Sequence, residues 1–182
     1  MTFVFVSGDL ALDFAATLKW RRSGTPEELL STSDDVARWA VEAGVLSRPP
    51  RVGETELRDL LALREAVYRL LRGDFIGSAT ASARRPADVR LVNRAAARPG
   101  PRVQLTADGV RRTGDAAALA TAVATAAIGL LESRPTVREC AGDACTRLFV
   151  DRSRAGNRTW CGMEECGNRV KAASYRARRS AS

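Results

Sequence analysis

Apolar residues recur at helical spacing in five stretches of the chain. In the longest stretch, Leu60, Leu61, Val67 and Leu71 fall on one face of a predicted helix, and Arg64 shares that face. The stretch near residue 120 is rich in alanine, and its inward-facing residues are Leu119, Val123, Ala127, Leu130 and Leu131. The pattern predicts helices over about 10–22, 34–43, 54–72, 86–98 and 116–133.

Polar residues and prolines at the ends of these stretches support the assignment. Thr32 or Ser33, followed by two aspartates, is a strong helix start, because acidic groups oppose the positive end of the helix dipole. Pro86 suits a first helical turn, Asp115 can cap the next helix, and Gly44 is a natural stop.

Alternating residues predict a β-hairpin within the helical region. The stretches 102–106 and 110–113 alternate in polarity on either side of Ala107-Asp108-Gly109, which is a turn sequence. The fold class predicted for residues 1–133 is therefore a mainly α, helical N-terminal domain with one small hairpin. Arg134-Pro135 is the predicted hinge to the remaining residues.

A different pattern occupies residues 134–182. We predict a second hairpin with strand 147–150, a turn at 154–157 and a return strand at 159–161. A helix carrying many basic residues is predicted over about 168–179. Residues 134–182 therefore read as a separate C-terminal module of a hairpin followed by a basic helix.

All four cysteines of the chain lie in this module, as two C-x4-C pairs separated by fifteen residues. Two close pairs brought together by a fold-back are typical of one tetrahedral Zn²⁺ with four thiolate ligands, and a reducing cytosol favours metal over two disulfides. Such a site is closed and structural, with no position for a catalytic water. The predicted ligands are Cys140, Cys145, Cys161 and Cys166.

Composition excludes several classes of protein. We expect no membrane span and no secretory leader, and therefore a soluble, cytoplasmic protein. The chain contains no histidine, which excludes histidine-based catalytic triads and mixed histidine–carboxylate metal sites. It also lacks a glycine-rich phosphate loop. We therefore expect that the protein is not an enzyme.

The net charge of +8 is unevenly distributed. Residues 134–182 contain 11 basic and 5 acidic residues, whereas residues 1–133 contain 18 and 16. A local basic excess points to a polyanionic partner. The candidate nucleic-acid-binding residues are Arg152, Arg154, Arg158, Arg169, Lys171, Arg176, Arg178 and Arg179.

These basic residues leave alternatives open. Those of the predicted helix do not fall on one stripe, so some of them contact protein or solvent, and a solvated surface helix is the simplest alternative. Arg169 and Arg176 share a face and could reach base edges, although Arg169 could equally pack back against the zinc loop. Arg152, Arg154 and Arg158 would grip the DNA backbone from the hairpin turn.

Several motifs resemble a known family. Cys166-Gly167-Asn168-Arg169, Leu148-Phe149-Val150-Asp151 and Trp160-Cys161 resemble the CGNR zinc-finger proteins. In that family a helical region called the ABATE domain precedes the finger, and Leu10-Ala11-Leu12-Asp13-Phe14 and Leu63-Arg64-Glu65-Ala66 are similar to it. The chain departs from the family at Ala16, where an asparagine is usual.

The resemblance implies a bacterial, stress-induced transcription regulator whose finger binds DNA. On this interpretation the partner is double-stranded DNA, and the N-terminal domain senses a small-molecule effector, forms a homodimer, or both. The alternative is a zinc-stapled interaction module for a protein or structured RNA, with a small-molecule-binding N-terminal domain. A pocket between the helices of 10–18 and 57–71 would favour the small-molecule role.

Overall fold

The computed structural model describes residues 2–77 and 84–167. The helices are α1 (Leu10–Ala15), α2 (Ser33–Glu42), α3 (Glu54–Ile76), α4 (Pro86–Ala96) and α5 (Ala116–Ser133). The strands are β1 (Leu18–Lys19), β2 (Glu27–Glu28), β3 (Arg102–Thr106), β4 (Gly109–Thr113), β5 (Val137–Glu139) and β6 (Leu148–Val150). A single π-helical turn, Met163–Gly167, follows β6. The predicted basic helix lies outside the described residues.

Helix starts follow the polar residues that predicted them. Thr32 accepts a hydrogen bond from the Asp35 amide, and Asp35 accepts one from the Thr32 amide, so α2 begins with a reciprocal capping box. Asp115 accepts from the Ala118 amide at the start of α5. Helix α2 ends where Gly44 takes a φ of +69°, a conformation that glycine adopts without steric cost.

The first helix is much shorter than predicted, and the expectation that it reaches Arg22 is wrong. Thr17 Oγ1 donates to the Phe14 carbonyl, and the Arg21 guanidinium donates to the carbonyls of Ala15 and Leu18. These side chains satisfy carbonyl groups that a longer helix would have bonded to backbone amides. The chain then forms β1, which pairs with β2.

Helix α3 is the centre of the fold and packs against α1, α4 and α5. Its residues Val67 and Leu71 are fully buried, as are Leu119 and Val123 of α5. Within the described residues, α5 alone is long and apolar enough to cross a membrane by length and composition. Its contacts with three helices and its buried apolar face are those of a core helix.

Strand β6 pairs with β5, in antiparallel register with Val137 opposite Val150. The predicted pairing of 147–150 with 159–161 is therefore wrong. The β5–β6 hairpin encloses the first cysteine pair, whereas the prediction placed a hairpin between the two pairs. Val137, Leu148 and Val150 are buried in the same apolar core as α1, α3 and α5. The C-terminal module is thus packed on the helical region across the Arg134-Pro135 segment.

A buried arginine connects α3 to the β1–β2 region. Arg64 is 3% exposed, and its guanidinium donates to both carboxylate oxygens of Glu28 at 2.6 and 2.7 Å. It also donates to Thr17 Oγ1 at 3.2 Å and to the Glu65 carboxylate at 2.9 Å. Thr17, which follows the unusual Ala16, therefore belongs to a satisfied polar cluster.

Replacing Arg64 with alanine should destabilise the protein strongly, because Glu28 and Glu65 would lose a buried cationic partner. We expect a loss of about 2–4 kcal/mol, somewhat below the cost for a fully buried pair, because Glu28 is partly exposed. Urea unfolding of the metal-replete protein measures it. Arg38→Ala, which breaks an exposed ion pair with Asp35, is the control and should cost less than about 1 kcal/mol. Equal losses for the two variants would contradict the structural role of Arg64.

Candidate metal centre

The four cysteines come from two turns. Cys140 follows β5 and Cys145 precedes β6, so the first pair lies at the tip of the hairpin. Cys161 and Cys166 lie just before and within the π-helical turn. At Gly142 an added Cβ would lie 3.3 Å from Cys166 Sγ and 3.3 Å from Cys145 Cβ. Glycine therefore lets the two turns approach closely.

The sulfur atoms form one compact group. All four Sγ atoms lie within 4.8 Å of one another, and those of Cys145 and Cys161 are 4.0 Å apart. Zn–S bonds of about 2.3 Å in a tetrahedron place sulfurs about 3.8 Å apart, close to this arrangement. The cysteines are not joined in disulfides, and three of them are buried while Cys145 is partly exposed. The donor set and its spacing fit one structural zinc ion, and the four predicted ligands are the residues that would hold it.

Electrostatics of the thiols explains the need for a cation. Hydrogen bonds from the thiols of Cys145 and Cys161 lower the pKa of Cys140 to about 2. The bond to Cys140 raises the pKa of Cys145 to about 12, and bonds to Cys140 and Cys145 raise the pKa of Cys161. One thiolate is thus stabilised at the expense of its neighbours. Four thiolates at this spacing require a compensating divalent charge.

Arg158 supports the second cysteine turn from inside the module. Its guanidinium donates to the carbonyls of Trp160 at 2.9 Å, of Val6 at 3.0 Å and of Cys161. The same group lies 4.4 Å from the ring centroid of buried Phe149. The sequence-based interpretation made Arg158 a DNA-backbone contact, whereas the structure directs its Nε and Nη2 groups to carbonyls within the protein.

Asp151 organises the loop that carries Arg158. Its carboxylate accepts hydrogen bonds from the Ser153 amide and hydroxyl, from the Arg158 amide, and from Arg138 Nε. These bonds, led by the Ser153 hydroxyl, hold the pKa of Asp151 below its ordinary value. The Asp-x-Ser spacing is a recognisable local turn signal, whereas the contact with Arg138 depends on tertiary structure.

The module is bonded to the N-terminal segment at several points. Arg147, Arg152 and Arg158 donate to the carbonyls of Val4, Gly8 and Val6, respectively, and the Val150 amide donates to the Ser7 carbonyl. These bonds satisfy carbonyls of an extended segment that belongs to no sheet. The segment is therefore fixed between the module and the helices.

A second set of contacts joins the module to α3 and to the segment after β1. The Arg21 amide donates to the buried Thr146 hydroxyl at 3.3 Å, and Glu139 forms ion pairs with Arg22 at 2.5 Å and Arg72 at 3.5 Å. Sequence reasoning missed these partners, because they are between 67 and 125 residues apart along the chain. Spacing along the sequence carries no signal for them.

The other predicted nucleic-acid residues divide into two groups. Arg152 and Arg154 are exposed on the loop after β6, and the Arg154 guanidinium forms no hydrogen bond or ion pair with the described residues. The Arg152 guanidinium gives one hydrogen bond to Gly8 and is otherwise exposed. Five predicted residues lie outside the described part of the chain, namely Arg169, Lys171, Arg176, Arg178 and Arg179.

We predict one zinc ion per chain, measured by elemental analysis and native mass spectrometry. Cys166→Ser should abolish stoichiometric zinc and unfold the module, because a structural zinc contributes about 10–16 kcal/mol to such a site. Met163→Leu in the same turn is the control and should retain the metal, because Met163 is 46% exposed. Metal-free protein, or a folded module in Cys166→Ser, would contradict the assignment.

Two arginines of one loop should differ in their effect on the metal. Arg158→Ala removes the donor that holds the Trp160 and Cys161 carbonyls, so we expect zinc transfer to a chromogenic chelator to become at least about tenfold faster. Arg154→Ala should leave the transfer rate unchanged, because Arg154 is exposed. Equal rates in the two variants would show that Arg158 does not support the cysteine turn.

Comparison with known families agrees with this architecture. Residues 8–134 match the family ABATE, described as "Putative stress-induced transcription regulator". Residues 136–179 match the family described as CGNR zinc finger. No curated protein matches the chain. Since the first match spans more than half of the chain, the protein belongs to the ABATE family and carries a CGNR zinc finger.

Proposed function

We propose that the protein is a transcription regulator, not an enzyme, and that it binds duplex DNA through its zinc finger. The observation that carries the proposal is the cluster of four cysteines, which fits a closed metal shell, in the part of the chain that holds the basic excess. A closed shell fixes geometry and offers no open coordination position for a substrate. A closed metal site in a basic part of the chain therefore favours the binding of a partner over catalysis.

The exposed loop beside the cluster supplies the first contacts. Asp151 holds this loop by its hydrogen bonds to Ser153 and Arg158, so Arg152 and Arg154 project from a fixed backbone. Guanidinium groups in such positions contact phosphates and set the orientation of the protein on the duplex. The basic residues of 169–179 add further phosphate contacts, and Arg169 or Arg176 reaches base edges.

The N-terminal domain provides room for a small-molecule effector. The α1–α3 interface, where a pocket would have favoured this role, contains the fully buried side chains Leu12 and Phe14. A cleft of about 670 Å³ lies between α3, α4 and the start of α5, with Leu63 and Leu91 on its apolar side and Arg94 at its polar side. This size is in the range of small-molecule sites. Homodimerisation and a cytoplasmic location complete the proposal.

Reversing two charges of the basic segment should weaken DNA binding and its dependence on salt. For Arg176→Glu/Arg178→Glu we expect at least a tenfold loss of affinity for duplex DNA and a decrease of about 2 in the slope of log K against log salt, because each phosphate contact contributes about 0.9. Fluorescence anisotropy with randomised and selected duplexes measures both quantities. Removal of zinc by a chelator should abolish the sequence preference.

The control is Arg58→Glu/Arg90→Glu, which changes the net charge equally on exposed positions of α3 and α4. It should keep affinity within about threefold, because only the long-range field changes. Weak binding of DNA that Arg176→Glu/Arg178→Glu leaves unchanged would contradict the proposal. Tight binding of structured RNA or of a protein, with no binding of duplex DNA, would support the alternative.

A further inference from the structure

A second basic surface lies at the far end of α5 from the zinc finger. It consists of Arg48 and the β3–β4 hairpin, residues 102–113, and we call it the basic hairpin. The hairpin precedes the first residue of α5, and the finger follows the last. Eighteen helical residues separate these ends by roughly 27 Å. The basic hairpin is therefore separate from the part of the finger that the structure describes.

The charge of this surface is uncompensated. Arg48, Arg102, Arg111 and Arg112 are all exposed, and no carboxylate of the described residues pairs with any of them. Asp108, at the turn, is the only acidic residue between 102 and 113. Elsewhere in the N-terminal domain, several acidic residues pair with arginines, such as Asp88 with Arg69 and Asp74 with Arg84. Residues 1–133 are therefore nearly neutral overall, although positive charge is in local excess at the basic hairpin.

The base of the hairpin is fixed to the body of the domain. The Ser47 amide donates to the Arg112 carbonyl at 2.9 Å, and the Arg112 amide donates to Ser47 Oγ at 2.8 Å. These bonds place Arg48 beside β4. A cleft of about 250 Å³ lies between them, lined by Arg48, Arg111 and Arg112 and by no acidic residue. A water molecule occupies about 30 Å³, so the cleft has room for a phosphate group.

The hairpin also exposes apolar side chains. Val103, Leu105 and Val110 are 60%, 86% and 52% exposed. Leu105 lies opposite Val110, and Val103 is two residues from Leu105, so the three side chains share one face of the ribbon. An isolated two-stranded ribbon gains little stability in water. Its exposed apolar face together with unpaired arginines indicates a surface that contacts a partner.

We propose that the basic hairpin is a second contact for duplex DNA, in which the β3–β4 ribbon lies in the major groove. A two-stranded ribbon fits that groove, where apolar side chains contact thymine methyl groups. Arg112, opposite Val103, lies on the apolar face, whereas Arg102 and Arg111 lie on the other face of the ribbon, so the arginines contact phosphates on both sides of the groove. A second copy of the chain is a poor occupant, because an isologous contact would bring the arginines of both copies together. This inference rests on the same partner as the proposed function, duplex DNA, but it concerns a different surface of the protein.

Charge reversal on the hairpin tests the proposal in the full, zinc-replete chain. For Arg111→Glu/Arg112→Glu we expect at least a tenfold loss of affinity for duplex DNA and a decrease of about 2 in the salt slope. Arg58→Glu/Arg90→Glu, with the same change of charge, should stay within about threefold of the unaltered protein. Zinc content should remain one per chain in both variants, because neither pair contacts the cysteine turns.

The outcomes separate this inference from the proposed function. If the hairpin variant behaves like the control while Arg176→Glu/Arg178→Glu weakens binding, the hairpin is not a DNA contact and the finger is. If the hairpin variant alone weakens binding, the inference stands and the finger proposal fails. No binding of duplex DNA by the unaltered chain overturns both. If the chain self-associates in sedimentation velocity and Leu105→Ser abolishes this self-association, the hairpin is a protein interface. That result would overturn the DNA assignment.

Discussion

The backbone carbonyl groups of the N-terminal segment need hydrogen-bond donors, and residues of the zinc finger supply these donors. Residues 4–8 belong to no sheet, yet three arginines and one amide of the finger bond their carbonyls. Partly buried carbonyls without partners would cost as much as lost hydrogen bonds, so we expect this segment to be ordered only where the finger is folded. Folding of the finger depends in turn on its metal. One set of hydrogen bonds therefore links the metal centre to the helical domain.

This arrangement changes what the basic residues of the finger can do. The Arg158 guanidinium donates a hydrogen bond to Val6 inside the protein, and the Arg152 guanidinium donates one to Gly8. A count of arginines therefore overstates the number of guanidinium groups that are available to a polyanion. Uncompensated charge appears instead at a hairpin for which the sequence indicated no excess. Position in the fold, more than net charge along the chain, decides which arginines are free to contact a partner. Because the finger and the helices share one apolar core, we also expect binding of the metal and folding of the N-terminal domain to depend on each other.

Local signals in the sequence predicted much of the fold. The cap at Thr32, the proline at the start of α4, the turn at Asp108-Gly109 and the cysteine spacing are all confirmed, because each depends on neighbours within a few residues. The failures are non-local. Strand β6 pairs with β5 and not with the segment that follows it. Helix α1 ends early because the side chain of Arg21, six residues beyond its end, donates to the Ala15 carbonyl. The inward turn of Arg158 depends on Val6, which is 152 residues away.

Hydrogen–deuterium exchange with and without zinc tests most directly whether the finger and the helical domain are one unit. The Arg21 amide, which bonds Thr146 of the finger, and the Val150 amide, which bonds Ser7, report on the two sides of the contact. We predict that removing zinc with a chelator raises exchange at Val150 and at Arg21 together. A rise confined to residues 137–167, with Arg21 protected as before, would show that the two parts fold independently and would contradict the account.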